Sequence, residues 1–115
     1  MQKAKKHDQE KPRYSTVPIA ALNDVIKSFT YGAQKYDDYN YSKGMNHSRY
    51  LNAAMRHINA YWMGEDMDES GNTHLANAVA SLLMLMDSKI TGVGTDDRNP
   101  KYLELYGDQN ETKEN

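Results

Sequence analysis

Cysteine is absent from the 115 residues of this chain. Its absence excludes disulfide bonds, thiolate metal ligands and a cysteine nucleophile. Long apolar runs are also missing: no segment approaches the roughly 18 consecutive apolar residues of a membrane-spanning helix. No apolar stretch follows the basic residues in segment 1–6, so no secretory signal peptide is predicted. We therefore expect a soluble, cytoplasmic protein with no membrane partner.

Basic charge is not in excess either. Lys and Arg total 14 and Asp and Glu total 16, which leaves a formal net charge of −2. A general nucleic-acid-binding protein is usually basic, so no nucleic-acid partner is expected. Phenylalanine and tryptophan occur once each, whereas tyrosine occurs nine times. Tyrosine suits small cores, interfaces and base-stacking pockets alike, because the ring packs while its hydroxyl stays hydrated.

The composition along the chain divides it into three parts. Residues 1–16 are polar and charged and are predicted to form a flexible arm. Residues 17–94 carry helix-like apolar spacing and are predicted to form one helical domain. Residues 95–115 form a polar tail, in which Lys101–Tyr106 is predicted to make one short helical turn and the last several residues to be disordered.

Three helices are predicted in the central part. The first begins near Pro18, a favourable residue for a first turn. The second begins with Ser48 as its N-cap and ends at Gly64. The third runs from near Thr73 to about Ile90. No strand-like alternation of useful length is present, so the predicted fold class is all-α, a small helical bundle.

The third helix has a broad apolar surface. Its stripe consists of Leu75, Val79, Leu82, Leu83 and Met86. A helix that is apolar on most sides is buried, in a core or at a subunit interface. Three helices of this length bury little area in a monomer. The sequence therefore predicts that the bundle is completed by homo-oligomerisation.

Four carboxylates lie between the second and third helices, at Glu65, Asp66, Asp68 and Glu69. A divalent cation would relieve their repulsion, and oxygen ligands favour Mg²⁺, Mn²⁺ or Ca²⁺. A solvated turn is the alternative, because acidic residues also suit the N-terminus of the following helix. An EF-hand loop beginning at Asp66 is a third reading, but its twelfth position is Asn77, where that loop needs glutamate.

Polar residues also follow the third helix at His74, Asn77 and Ser81. Buried polar groups need partners, so another helix, a ligand, a metal or a satisfied core network must meet this line. His57 lies on a small-residue face of the second helix and is expected to reach it. Basic residues suited to phosphate, or else to the solvated surface, are Lys11, Arg13, Lys35 and Arg56.

Several blocks of this sequence occur together in a known order. They are Lys6-x-Asp8-x-x-Lys11-Pro12, Tyr31-Gly32-Ala33-x-Lys35-Tyr36-x-x-x-Asn40-Tyr41-x-x-Gly44, Arg49-Tyr50-Leu51-x-Ala53-x-x-Arg56-His57-x-x-Ala60, Gly64-Glu65, and His74-Leu75-Ala76-Asn77-Ala78. The chain thereby resembles the phage-borne dATP/dGTP diphosphohydrolases, the MazZ-like proteins related to MazG nucleotide pyrophosphohydrolases.

The resemblance implies a MazG-like all-α fold, a homodimer or tetramer, and hydrolysis of a purine deoxynucleoside triphosphate, dGTP or dATP, to monophosphate and pyrophosphate. It implies Mg²⁺ or Mn²⁺ as cofactor and, for a phage-encoded protein, the host cytoplasm as location. The implied metal ligands are Glu65, Asp68 and Glu69; the implied catalytic residues are Glu65, Glu69, His57 and His74; the implied substrate-binding residues are Lys11, Lys35, Tyr36, Asn40, Arg56 and Asn77.

The chain departs from the MazG pattern at the helices themselves. MazG proteins carry paired glutamates on one helix and Glu-x-x-Asp on the next, where this sequence has Arg56-His57 and His74-x-x-Asn77. Two other readings therefore stand beside the enzyme. One is a non-catalytic helical phage protein that binds a nucleotide or a partner. The other is a structural phage protein that oligomerises through its third helix.

Overall fold

The computed structural model describes residues 2–110 and the side chains of residues 2–107. The all-α prediction is confirmed, since this part of the chain contains helices and two isolated β-bridges but no strand. The α-helices are α1 (Ile19–Lys35), α2 (His47–Trp62), α3 (His74–Thr91) and α4 (Pro100–Asn110), with short 3₁₀ helices at Tyr14–Thr16 and Asn40–Lys43.

The first three helices form the body of the domain. Helix α2 runs antiparallel to α3, because His57 meets His74 while Tyr50, two turns earlier, meets Ser88. Helix α1 lies against a different face of α3, where Val25 packs with Ala76 and Ala80. The loops between successive helices therefore lie at opposite ends of the body.

Local capping explains the start of α3 but not that of α2. The Thr73 side chain accepts a hydrogen bond from the Ala76 backbone, 3.0 Å away, so the predicted start of α3 is confirmed. The predicted Ser48 N-cap is wrong, because α2 already begins at His47. The Ser48 backbone N–H and hydroxyl instead donate to the Asp97 carboxylate, which approaches from 49 residues away.

A crossing of two backbone segments joins the start of α2 to the end of the domain. The His47 N–H donates to the Thr95 carbonyl at 2.9 Å, and the Thr95 N–H donates to the Met45 carbonyl at 3.3 Å. A methyl group on Gly94 would lie 2.5 Å from that same Met45 oxygen. Glycine is needed here because the two backbones approach too closely for a side chain.

The segment beyond the crossing is more helical than expected. Helix α4 extends over Pro100–Asn110, whereas only one turn was predicted at Lys101–Tyr106. The predicted disorder of the final residues concerns 111–115, which lie outside the described residues. Side chains in the N-terminal segment, residues 2–16, are exposed.

Small residues fill the core of the described chain. Buried hydrophobic residues are Val25, Tyr50, Ala54, Ala76, Ala78 and Ala80. The five residues of the predicted apolar stripe of α3 point outward instead, with exposures from 37% at Leu83 to 58% at Met86. Alanine and serine face inward because they let the neighbouring helices approach closely. Among the described helices, none has the length and apolar character to cross a membrane.

Candidate functional site

Two histidines meet between α2 and α3. The Nδ1 atoms of His57 and His74 lie 2.9 Å apart, and the His74 ring is buried. On its other side, Nε2 of His74 lies 3.2 Å from Oε2 of Glu65, although the two atoms are not aligned for a hydrogen bond. The Glu65 side chain is 65% exposed and free to rotate into line. The predicted meeting of His57 with the polar line of α3 is thus confirmed.

The hydrogen-bonding needs of this pair favour one arrangement of protons. A bond between two Nδ1 atoms requires one ring to donate and the other to accept. If His57 donates, Nε2 of His74 carries its proton and faces the Glu65 carboxylate, so every contact is attractive. Burial lowers the pKa of His57, and the neighbouring His74 lowers it further. His57 is therefore neutral at pH 7, with its Nε2 lone pair available.

A series of hydrogen bonds connects the loop between α2 and α3 to α1. The Asn77 amide donates to Oδ2 of Asp68 at 2.8 Å and accepts from the Ser28 hydroxyl at 2.7 Å. The other oxygen of Asp68 accepts from the Ser70 backbone at 2.8 Å and from its hydroxyl. Burial opposes ionisation of Asp68, but the bonds from Ser70 outweigh it and its pKa is lowered. Asn77, implied as a substrate ligand, thus binds two protein partners.

The predicted metal ligands do not gather at one point. Glu65 contacts His74, and Asp68 is held by Ser70 and Asn77. Within residues 2–107, no three His, Asp or Glu side chains lie close enough to hold a metal ion. As placed, they do not fit a Mg²⁺ site, which needs several oxygen ligands around the ion. Coordination by Glu65, Asp68 and Glu69 stays a prediction.

A cavity of about 800 Å³ opens between α1, α2 and the loop that joins them. Three of the implied substrate-binding residues, Tyr36, Asn40 and Arg56, line it. Aromatic side chains form much of one wall, and Phe29 contacts Tyr41 edge to face with ring centroids 5.8 Å apart. An opening of this size with aromatic and basic walls suits an aromatic, anionic ligand.

The cavity and the histidine pair are neighbours through two residues. Arg56 lines the cavity and directly precedes His57 on α2. Ser28 also lines the cavity and bonds to Asn77, which holds Asp68. Both histidines lie near enough to Asp68 to lower its pKa when they are protonated. A ligand in the cavity would therefore lie beside the His57–His74–Glu65 cluster rather than within it.

The remaining implied residues are more dispersed. The Lys35 ammonium lies over the Tyr36 ring, 5.3 Å from its centroid, and the pKa of Lys35 is raised chiefly by Tyr36. The Glu69 carboxylate raises it slightly further. Lys11 and Arg13 lie in the exposed arm and do not line the cavity.

Sequence reasoning missed three charged residues of the cavity wall: Arg49, Asp37 and Asp38. The signal for Arg49 was its spacing, since seven positions separate it from Arg56 and place both on one face of α2. Asp37 and Asp38 lie in the turn after α1, and their position against a cavity depends on the path of that loop.

One of three comparisons with known proteins gives a match. No curated protein and no solved structure matches the chain. A family model described as "dATP/dGTP diphosphohydrolase, N-terminal" matches residues 1–98, which include α1, α2, α3 and the backbone crossing. Since that match covers most of its 115 residues, the chain belongs to the family of dATP/dGTP diphosphohydrolase N-terminal domains.

Proposed function

We propose that this protein hydrolyses a purine deoxynucleoside triphosphate, dGTP or dATP, to the monophosphate and pyrophosphate. The observation that carries the proposal is the cavity of about 800 Å³ that is lined by Tyr36, Asn40 and Arg56 and adjoins the histidine cluster. Its walls match the parts of a nucleotide, with rings for the base and a guanidinium for the phosphates. Membership of the family supports the same reaction.

The chemistry follows from the charges around the cavity. Arg56 would neutralise charge that develops on the phosphates, and Lys35 would add a second positive charge nearby. Neutral His57 would accept a proton from the attacking water, because its pKa is lowered by burial. His74 and Glu65 would orient the His57 ring through the Nδ1 contact. The Tyr36 ring, which lines the cavity, would stack on the base.

A requirement for Mg²⁺ or Mn²⁺ belongs to the proposal through the family resemblance. Such an ion, when bound, neutralises phosphate charge and lowers the pKa of water. None of the steps above passes through it, because the loop carboxylates as placed do not form its site.

Product analysis tests the reaction directly. The protein is incubated with each deoxynucleoside triphosphate, with Mg²⁺, with Mn²⁺ and with a chelator, and products are separated by chromatography. We expect pyrophosphate and monophosphate from dGTP or dATP. The His57→Gln variant should turn over more slowly by about a hundredfold or more. The His7→Gln variant, changed in the exposed arm, should keep the wild-type turnover. Absence of pyrophosphate from every triphosphate and metal would refute the proposal.

A non-catalytic nucleotide-binding protein is the second candidate. The dispersed positions of Glu65, Asp68 and Glu69 favour it, because a metal-dependent hydrolase gathers its carboxylates. Thermal stabilisation by deoxynucleoside triphosphates without any turnover would identify this function. Turnover under the same conditions would exclude it.

We also infer that the chain assembles with copies of itself through the outer face of α3. A helix that is apolar on most sides is normally buried, whereas Leu75, Val79, Leu82, Leu83 and Met86 of α3 are each 37–58% exposed. Stable homodimers commonly bury about 2,000 Å² or more. Light scattering should report an oligomer that Val79→Glu, on the apolar face, dissociates and Lys89→Glu leaves intact.

A further inference from the structure

Four charged side chains line the cavity. Arg49 and Arg56 stand on the α2 wall, and Asp37 and Asp38 stand on the loop after α1. None of the four side chains makes an ion pair or a hydrogen bond with another side chain in residues 2–107. The cavity therefore presents positive charge on one wall and negative charge on another.

The two walls have different lengths and neighbours. Arg49 and Arg56 are two helical turns apart, about 10 Å along α2, which makes an extended basic edge. The aspartates directly follow Tyr36, and the Asn40 N–H donates to the Asp37 carbonyl at 3.2 Å to close a tight turn. The carboxylates therefore share the cavity lining with Tyr36, Tyr39 and Tyr41 of the same loop.

We propose that Asp37 and Asp38 select the base and that Arg49 joins Arg56 in binding the phosphates. This proposal rests on the proposed function and adds the orientation of the nucleotide and its base preference. A triphosphate lies along the basic edge because the carboxylates would repel it. The base then lies among the rings of the loop, with its polar edge toward Asp37 and Asp38.

The chemistry of the base edge decides which purine fits. A carboxylate only accepts hydrogen bonds. Guanine presents two adjacent donors, N1–H and the 2-amino group, which one carboxylate accepts together, and its O6 can accept from the amide of Asn40. Adenine presents a single amino donor beside the N1 lone pair, which a carboxylate repels. The arrangement therefore favours guanine over adenine.

Equilibrium binding of dGTP, dITP and dATP tests the selection. Inosine lacks only the 2-amino group, so the ratio of dGTP to dITP affinity isolates that contact. We expect wild-type protein to prefer dGTP about tenfold or more, the range of a charge-assisted hydrogen bond. Asp37→Asn combined with Asp38→Asn should abolish the preference. Asp24→Asn, an exposed carboxylate on α1 away from this cavity, is the matched control.

A second pair of variants tests the basic edge. Arg49→Ala should weaken dGTP binding about tenfold while leaving the affinity for deoxyguanosine, which has no phosphate, unchanged. Lys43→Ala, an exposed lysine of the same loop that does not line the cavity, should alter neither.

The outcomes distinguish failure of base selection from failure of the proposed hydrolase function. If dGTP binds but the Asp37/Asp38 variant keeps the wild-type preference, base selection is wrong and the proposed hydrolase stands. Equal weakening of all three triphosphates, with more cation needed for binding, would show that the carboxylates face the phosphates and would also overturn it. If wild-type protein binds no nucleotide, both proposals fail. Circular dichroism of each variant confirms that it is folded.

Discussion

Replacement of Gly94 by alanine should unfold or strongly destabilise this domain. Gly94 has a φ of +90°, a backbone conformation that side chains rarely adopt. Its added methyl group would lie 2.5 Å from the Met45 carbonyl oxygen and 3.2 Å from the Met45 nitrogen. These are backbone atoms just ahead of α2, so relief of the overlap must shift the start of that helix and, with it, Arg49.

The magnitude has two parts. The left-handed conformation costs about 1–2 kcal/mol for a residue with a side chain. Overlap with atoms that cannot rotate away adds about 1–3 kcal/mol. Gly94→Ala should therefore lower the free energy of unfolding by about 2–5 kcal/mol, a large share of the total of about 5–15 kcal/mol for a natural domain.

Urea denaturation monitored by circular dichroism measures this change, and the chain supplies two controls. Gly71 has a φ of +87° but nothing within 4 Å of an added methyl group, so Gly71→Ala should show only the conformational cost. Gly107, inside α4, has neither constraint, and its alanine variant should gain about 0.5–1 kcal/mol. Equal losses for Gly94→Ala and Gly71→Ala would contradict the close approach to Met45.

Three further predictions concern the cap, the ion pair and the cavity. Thr73→Ala should lower the free energy of unfolding by about 1 kcal/mol because the Ala76 N–H loses its acceptor, and Thr73→Ser should restore most of it. The Arg98 guanidinium holds the pKa of Asp96 well below its ordinary value. This pair therefore stabilises the fold above about pH 4, and the stabilisation is lost as pH falls toward the folded-state pKa. In urea denaturation from pH 7 to pH 2.5, the free energy of unfolding should fall less steeply for Asp96→Asn than for the wild type. Arg56→Ala should raise the KM for the hydrolysed triphosphate about tenfold, and an unchanged KM would remove Arg56 from the site.

The sequence predicted correctly those features that depend only on residues within a few positions of each other. The period of apolar residues predicted α1, α2 and α3, and Thr73 predicted the start of α3 because a cap depends only on residues one turn away. The reach of His57 toward α3 was also foreseen, because small residues flank it on a helical face. Arg56 was a candidate from its residue type and the family resemblance added Tyr36, and both line the cavity.

Several contacts between residues far apart in the chain escaped prediction. Ser48 has the residue type of an N-cap, yet Asp97 caps α2 from 49 residues away. Nothing in the spacing of the loop acids showed that Asp68 would be occupied by Asn77 and Ser70. The apolar stripe of α3 was recognised from the sequence. Packing between the helices decided that the alanine and serine face of α3, and not the stripe, points inward.

The sequence by itself determined which segments become helices and which chemistry is excluded, because turn residues, caps and apolar periods act over a few residues. The tertiary structure alone decided which side chains share a cavity. Arg49, Arg56, Asp37 and Asp38 become one charged lining only when the loop after α1 folds against α2. The physical reason is that helix geometry fixes the direction of each side chain around its own helix axis. The relative position of two helix axes follows instead from packing across the whole domain.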